Sequence, residues 1–200
     1  MTLGTRVGVF ADVHGSTRTL ERALEVCRKE GVETIALLGD LFDRHEQADP
    51  CALVLAGWDV VGVYGNHERE VAIEAALGVY PLLEETVRLL SALEEEVVIG
   101  DVRLTHEVEH WGHIDPIARL FGRNQHANGH HGSVTERLTF TGHTHFRQAR
   151  DERGTLDIGR GALSLDSSRR YLINPGALLI GQYAIWDREE DIVFFRNVEH

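Results

Sequence analysis

Three short apolar runs, at residues 7–11, 34–38 and 60–64, alternate with segments of helical periodicity. This alternation constrains the fold more than any other feature. A run apolar at every position suits a strand buried on both faces. Between the first two runs, Ser16 predicts a helix N-cap, Leu20, Ala23, Leu24 and Cys27 share one helical face, and Gly31 predicts the stop. Further helices are expected over residues 68–77 and, after Pro81, over 83–96. Strand-helix-strand alternation means a largely parallel sheet covered by helices.

The second half changes character. Residues 97–99 and 102–105 flank Gly100-Asp101, a tight hairpin signal. Residues 138–141, 171–173, 178–186 and 191–196 read as strands, the last two as a hairpin across 187–190. The expected class is therefore α/β, with mostly antiparallel β structure late in the chain. The 200 residues suit one domain spanning 1–200 that needs no disulfide or metal to fold. Residues 107–137, rich in His and Gly, read as an insertion or loop within it.

Charge and cysteine usage narrow the setting. A net charge of −12 argues against nonspecific binding to nucleic acid or anionic membrane, which depends on Lys and Arg. No run of about 18 apolar residues supports a membrane span, and residues 1–10 lack a secretory signal pattern. Cys27 and Cys51 form no CxxC pair and read as reduced, buried thiols, so a cytoplasmic setting is expected. Oligomeric state is left open.

The chemistry lies at the strand ends. Five apolar runs each finish in a potential metal ligand: Asp12 and His14, Asp40, Asn66, His106, then His143 and His145. Each alone reads as a capping Asp, a satisfied His or a turn Asn. Their recurrence at the same end of successive strands points to a site, because ligands of open α/β folds bind at the carboxyl ends of strands. Asp-x-His and His-x-His put both side chains on one face of extended backbone. Four imidazoles, two carboxylates and one carboxamide, with no thiolate, suit Mn²⁺, Fe or Zn²⁺ better than Mg²⁺ or Ca²⁺. The set is too large for one tetrahedral ion, and two ions sharing a carboxylate accommodate it. Such a pair turns a bridging water into hydroxide near neutral pH and holds phosphoryl oxygens during in-line displacement. That is phosphoester hydrolysis.

Asp12-Val13-His14, Gly39-Asp40-Leu41-Phe42-Asp43, Gly65-Asn66-His67-Glu68, His106 and Gly142-His143-Thr144-His145 together resemble the calcineurin-like metallophosphoesterases, in that family's order. The resemblance implies two packed β-sheets flanked by helices and two divalent ions, manganese first, with iron, zinc or nickel as alternatives. It implies that Asp12, His14 and His145 hold one ion, that Asn66, His106 and His143 hold the other, and that Asp40 bridges. His67 would stand outside the coordination sphere, stabilising the transition state or protonating the leaving oxygen, with Asp43 orienting it. Arg44 would grip a substrate phosphate, or stand as a solvated surface arginine, since the family's next glycine is His45 here. Asn174-Pro175-Gly176 resembles the late loop of the small bacterial phosphodiesterase branch, and reads equally as an ordinary Pro-Gly turn.

Two departures bear on function. His67 stands where small relatives often carry Cys, which leaves monoesters open as substrates beside diesters. Glu107 stands where the family usually has Gly after the ligand histidine, which makes His110 or His113 substitutes for His106. Residues 106–110 also match HExxH, the zinc-protease pattern, which works only on a helix. A strand-like run leads into it and Gly112 and Pro116 follow, so the match reads as accidental. His113, His126, His130 and His131, with Trp111 and Phe121, border the active-site mouth or form a surface loop. Protein phosphatase and nucleotide polyphosphate hydrolase are alternatives on the same site, and a non-catalytic scaffold is an alternative of another class.

Overall fold

β1 (Arg6–Phe10), β2 (Thr34–Leu37) and β3 (Asp59–Gly62) pair in parallel in the order β3-β2-β1. The computed structural model describes residues 2–107, 136–159 and 161–198. α1 (Thr17–Lys29) crosses from β1 to β2 and buries Leu20, Ala23, Leu24 and Cys27, the face that the periodicity predicts. Ser16 takes the N-cap position, but its hydroxyl meets Thr19 Oγ1 at 2.8 Å instead of capping the backbone.

The first sheet is only half parallel. Beyond β1 it continues through β11 (Gln182–Asp187), β12 (Ile192–Asn197) and β9 (Ala162–Ser164), all antiparallel. The second sheet has the order β4-β5-β6-β10-β7-β8. It comprises β4 (Glu96–Ile99), β5 (Val102–Thr105), β6 (Leu138–Thr141), β7 (Gln148–Asp151), β8 (Gly154–Thr155) and β10 (Tyr171–Asn174). Its β5-β6-β10 centre is parallel, whereas the other pairings among the later strands are antiparallel, in line with the mostly antiparallel second half expected.

Other boundaries also differ. Residues 178–186 are not one strand: Leu178–Ile180 form a 3₁₀ turn, and Gly181, at φ +82°, redirects the chain before β11. α2 (His45–Leu55) carries Pro50 in its interior and escaped the sequence reading. α3 (Asn66–Ala76) begins two residues early, and α4 (Glu84–Ala92) stops short because Glu96 already opens β4.

The apolar strands feed two cores. Val7 and Val9 of β1 pack between the sheets with Leu38, Val61, Leu104, Phe140, Ile173 and Trp186. Phe10, Ile35 and Leu37 pack on the other side with Leu20, Leu24, Phe42 and Tyr183. Both faces of these strands are buried, which explains why the runs show no polar alternation. The result is an α/β sandwich of two mixed sheets flanked by helices. Cys27 and Cys51 are free and buried, and burial pushes both thiols up to about 12. Among the described residues no helix is long and apolar enough to cross a membrane.

Candidate metal centre

The segments that follow β1 and β2 are zipped together by backbone. Asp12 N donates to Gly39 O at 3.1 Å, His14 N to Asp40 O at 3.0 Å and Gly15 N to Leu41 O at 2.9 Å. The segments after β5 and β6 are joined in the same way, Gly142 N donating to His106 O at 3.0 Å. His143 N, after β6 of the second sheet, also donates to Asp12 Oδ1, after β1 of the first, at 3.0 Å.

This close approach forces unusual backbone. Asp12, His14, Asp40, His143 and His145 all have φ between +48° and +67°. Among the described residues, Asp191 alone joins them as a non-glycine with positive φ. Left-handed backbone costs an L-residue roughly 1–2 kcal/mol, and such residues cluster at functional sites. Gly39 and Gly65 are required for another reason. A Cβ on Gly39 would lie 2.6 Å from Gly65 N, and one on Gly65 would overlap the Asp40 carboxylate.

Three ligand groups result: Asp12, His14 and His145; Asp40, His106 and His143; and His14, Asp40 and His67. Within each, one ligand atom per residue lies within 4.8 Å of the others. His14 and Asp40 each belong to two groups. His14 Nε2 is 3.0 Å from His145 Nε2, His145 Nε2 is 3.7 Å from Asp12 Oδ1, and His106 Nε2 is 3.3 Å from Asp40 Oδ2. Asp12 Oδ2 is buried and, among the described residues, has no hydrogen-bond partner. A buried carboxylate oxygen without a donor is costly unless a cation faces it.

Burial raises the Asp12 carboxyl, against the opposing pull of His106 and His145. At Asp40 burial also pushes upward, but the hydrogen bond and charge of His106, with His67, outweigh it and hold the carboxyl low. Burial pushes His106 down, but the same pair outweighs it and raises the imidazole above its ordinary range.

The remaining predicted residues lie at the rim. Asn66 is exposed at the first position of α3, directly before His67. His67 Nδ1 is 3.8 Å from Asp43 Oδ1, yet the nearest partner of that oxygen is His14 Nδ1 at 2.5 Å. Asp43 therefore serves His14 as well as the His67 that the resemblance assigns to it. Arg44 is exposed as the N-cap of α2. A cleft of ≈ 230 Å³ is lined by Asp43, Arg44, His45, Glu46, Glu70 and Glu74. Beside it, His45 stacks on Tyr80 with ring centres 3.7 Å apart. Of the HExxH pattern, His106 and Glu107 directly follow strand β5, and residues 108–110 lie outside the described residues, as do His113, His126, His130 and His131.

Two residues quoted in the sequence motifs, Glu68 and Asn174, have supporting roles that the sequence did not assign. Glu68 is fully buried and accepts from Asp40 N at 3.0 Å, Gly65 N at 2.7 Å, Phe42 N at 3.4 Å and Leu41 N. Burial raises this carboxyl, and the neighbouring Asp40 charge adds to the effect. Its place three residues after the Gly65 N-cap is a capping-box spacing, which could have flagged it. Asn174, also fully buried, donates through Nδ2 to Gly142 O at 2.8 Å and Thr144 Oγ1 at 3.1 Å. It thereby braces the segment that carries His143 and His145.

Comparison with known proteins agrees with this picture. A family model described as the calcineurin-like phosphoesterase superfamily domain matches residues 5–186. An uncharacterized protein of Methanocaldococcus jannaschii is 23% identical over 225 residues, covering 97% of this chain and 87% of its own length. The crystal structure of a metallophosphoesterase from Sphaerobacter thermophilus is 25% identical with a TM-score of 0.72, over 98% of this chain and 89% of that one. An archaeal phosphodiesterase, 19% identical over 96% of this chain and 99% of that one, shares the fold with a TM-score of 0.59.

Proposed function

The chain belongs to the calcineurin-like phosphoesterase superfamily, and on that premise we propose that it is a dinuclear metal-dependent hydrolase of phosphoester bonds, diesters, monoesters or both. One observation carries this reading: side chains from separate strand ends in both sheets form three overlapping ligand groups that share His14 and Asp40. The donor set fits the ions. It is imidazole and carboxylate without thiolate, and it leaves the buried Asp12 Oδ2 without another partner. In this reading Asp12, His14 and His145 hold one ion, Asn66, His106 and His143 hold the other, and Asp40 bridges, with manganese the first candidate. When bound, the ions supply Lewis acidity toward phosphoryl oxygens and lower the pKa of water to near neutrality.

The rest belongs to the chain. His67, at the N-terminus of α3, donates a proton to the leaving oxygen, and Asp43, 3.8 Å from its Nδ1, orients the ring. Arg44 lines the cleft beside Asp43 and offers a two-pronged clamp for a phosphate. The cleft receives the leaving group. Its carboxylates at Glu46, Glu70 and Glu74 repel further phosphates, which favours substrates with one phosphate over polyphosphates. The buried free thiols suit a cytoplasmic, reducing setting for the reaction.

Hydrolysis of a chromogenic monoester and a chromogenic diester with Mn²⁺, after chelation and after metal restoration, tests the proposal. Metal-dependent turnover of either ester is the expected result. No turnover with Mn²⁺, Fe²⁺, Zn²⁺ or Ni²⁺ would favour a non-catalytic scaffold.

A further inference from the structure

Three imidazoles of the centre have one nitrogen turned inward and the other turned to an acceptor. His14 presents Nε2 to His145 at 3.0 Å, and its Nδ1 meets Asp43 at 2.5 Å. His106 presents Nε2 to Asp40 at 3.3 Å, and its Nδ1–H donates to Leu38 O at 2.7 Å. His143 has Nδ1 3.2 Å from His106 Nε2, and its Nε2 lies 4.0 Å from Glu107 Oε1. The outer partner of a ligand imidazole fixes which nitrogen carries the proton and how the ring is aimed. For His143 that partner is Glu107.

We propose that Glu107 is a positioning residue for the second metal ion: its carboxylate takes the outer N–H of His143 and turns the lone pair of Nδ1 toward His106 and Asp40. The inference rests on the dinuclear reading above. The backbone is placed for this role, because the Thr105 hydroxyl donates to Glu107 O and the Thr141 hydroxyl to His106 O, each at 3.0 Å. At 4.0 Å the contact is longer than a hydrogen bond. The Glu107 side chain is half exposed, so a rotation about its own bonds closes the gap without moving the core. The N–H of an imidazole ligated through its other nitrogen is also a stronger donor, which favours closure. Asp43 and Leu38 O hold their histidines tightly, whereas Glu107 is the loosest and most exposed of the three acceptors. The second ion is therefore the one whose affinity this chain tunes from the surface.

The test is calorimetric titration of Mn²⁺ into the metal-free, full-length protein, beside its Glu107→Gln and Glu107→Gly variants. Wild type is expected to show two binding events. Both variants are expected to weaken one event by about tenfold to a hundredfold, with the other unchanged and the thermal midpoint of the metal-free protein unmoved. That split between events is what a merely structural residue would not produce. Two unchanged events in both variants would overturn the proposal. So would equal weakening of both events, which is general electrostatics, or complete loss of one, which would make Glu107 a ligand. A wild type with fewer than two events would instead sink the dinuclear reading, and this inference with it.

Discussion

His67 and Asp40 separate two kinds of contribution at the same centre. Asp40 is buried, belongs to two ligand groups and holds a low carboxyl pKa because His106 and His67 favour its charge. Replacing it by Asn removes a negative charge between imidazoles while keeping the shape. Asp40→Asn is therefore expected to weaken Mn²⁺ binding and largely abolish turnover together. His67 stands at the rim, with its side chain one-third exposed and its ring centre 5.5 Å from that of His14. Its proposed task is proton donation, which contributes roughly 10²–10⁴ in rate. His67→Ala is thus expected to lose turnover by about that factor while Mn²⁺ affinity stays within a few-fold. Steady-state kinetics and Mn²⁺ titration on both variants check the pair, and wild-type rates in either would remove that residue from the chemistry.

At the scale of elements, the ligand segments depend on buried polar braces that reach across the chain. Glu68, on α3, accepts backbone N–H groups from Asp40, Leu41, Phe42 and Gly65, so one carboxylate ties the end of β2 to the start of α3. Glu68→Gln puts an amide NH₂ where two of those donors point. A loss of about 2–3 kcal/mol in urea unfolding is expected, since hydrogen bonds to charged groups carry that much. A second brace titrates. Asp187, at the end of β11, takes Glu190 N at 3.1 Å and Arg6 Nε at 2.9 Å, joining β11 to β1 and to its own hairpin. The Glu190 bond, then Arg6 against the opposing effect of burial, hold its carboxyl below the usual range. A carboxylate lowered on folding stabilises above its unfolded pKa and stops doing so as pH falls. Asp187→Asn is expected to cost about 1 kcal/mol at pH 7, with the difference from wild type shrinking below about pH 4. These braces also mark where sequence stops being legible. The ligands follow strand ends and α1 has its apolar stripe and Gly31, both local signals. Glu68 has a local capping-box signal through Gly65, but its bonds to Asp40, Leu41 and Phe42, like those of Asn174 to Gly142 and Thr144, reach partners 26 to 32 residues away that no local pattern announces. α2 was hidden by Pro50, which costs a helix interior about 3 kcal/mol and is tolerated where Ala48, Cys51, Ala52 and Leu55 pack into the core.

Across the whole molecule, the proposed centre is a seam between sheets. Asp12, His14 and Asp40 follow strands of the first sheet, whereas His106, His143 and His145 follow strands of the second. Each of the two groups proposed to hold an ion draws on both sheets, so filling either would tie them together at one edge. The unfolded chain spreads the same ligands over more than 130 positions and has no such cage. Ions that bind the folded chain alone stabilise it by mass action, about 2.7 kcal/mol for one site at a free concentration of 100 Kd. For a domain of this size each kcal/mol moves the thermal midpoint by roughly 2–4 °C. Saturating Mn²⁺ is therefore expected to raise the midpoint by several degrees, and chelation to return it. The gain should be smaller at lower pH, because protons compete with the ions for the imidazole nitrogens. Asp40→Asn should keep less of it, since in the proposed centre that carboxylate would serve both ions. Scanning calorimetry with and without Mn²⁺ at pH 5.5 and 7.5 reads all three effects. A midpoint indifferent to metal at both pH values would mean that the two sheets meet at this edge without a shared cation.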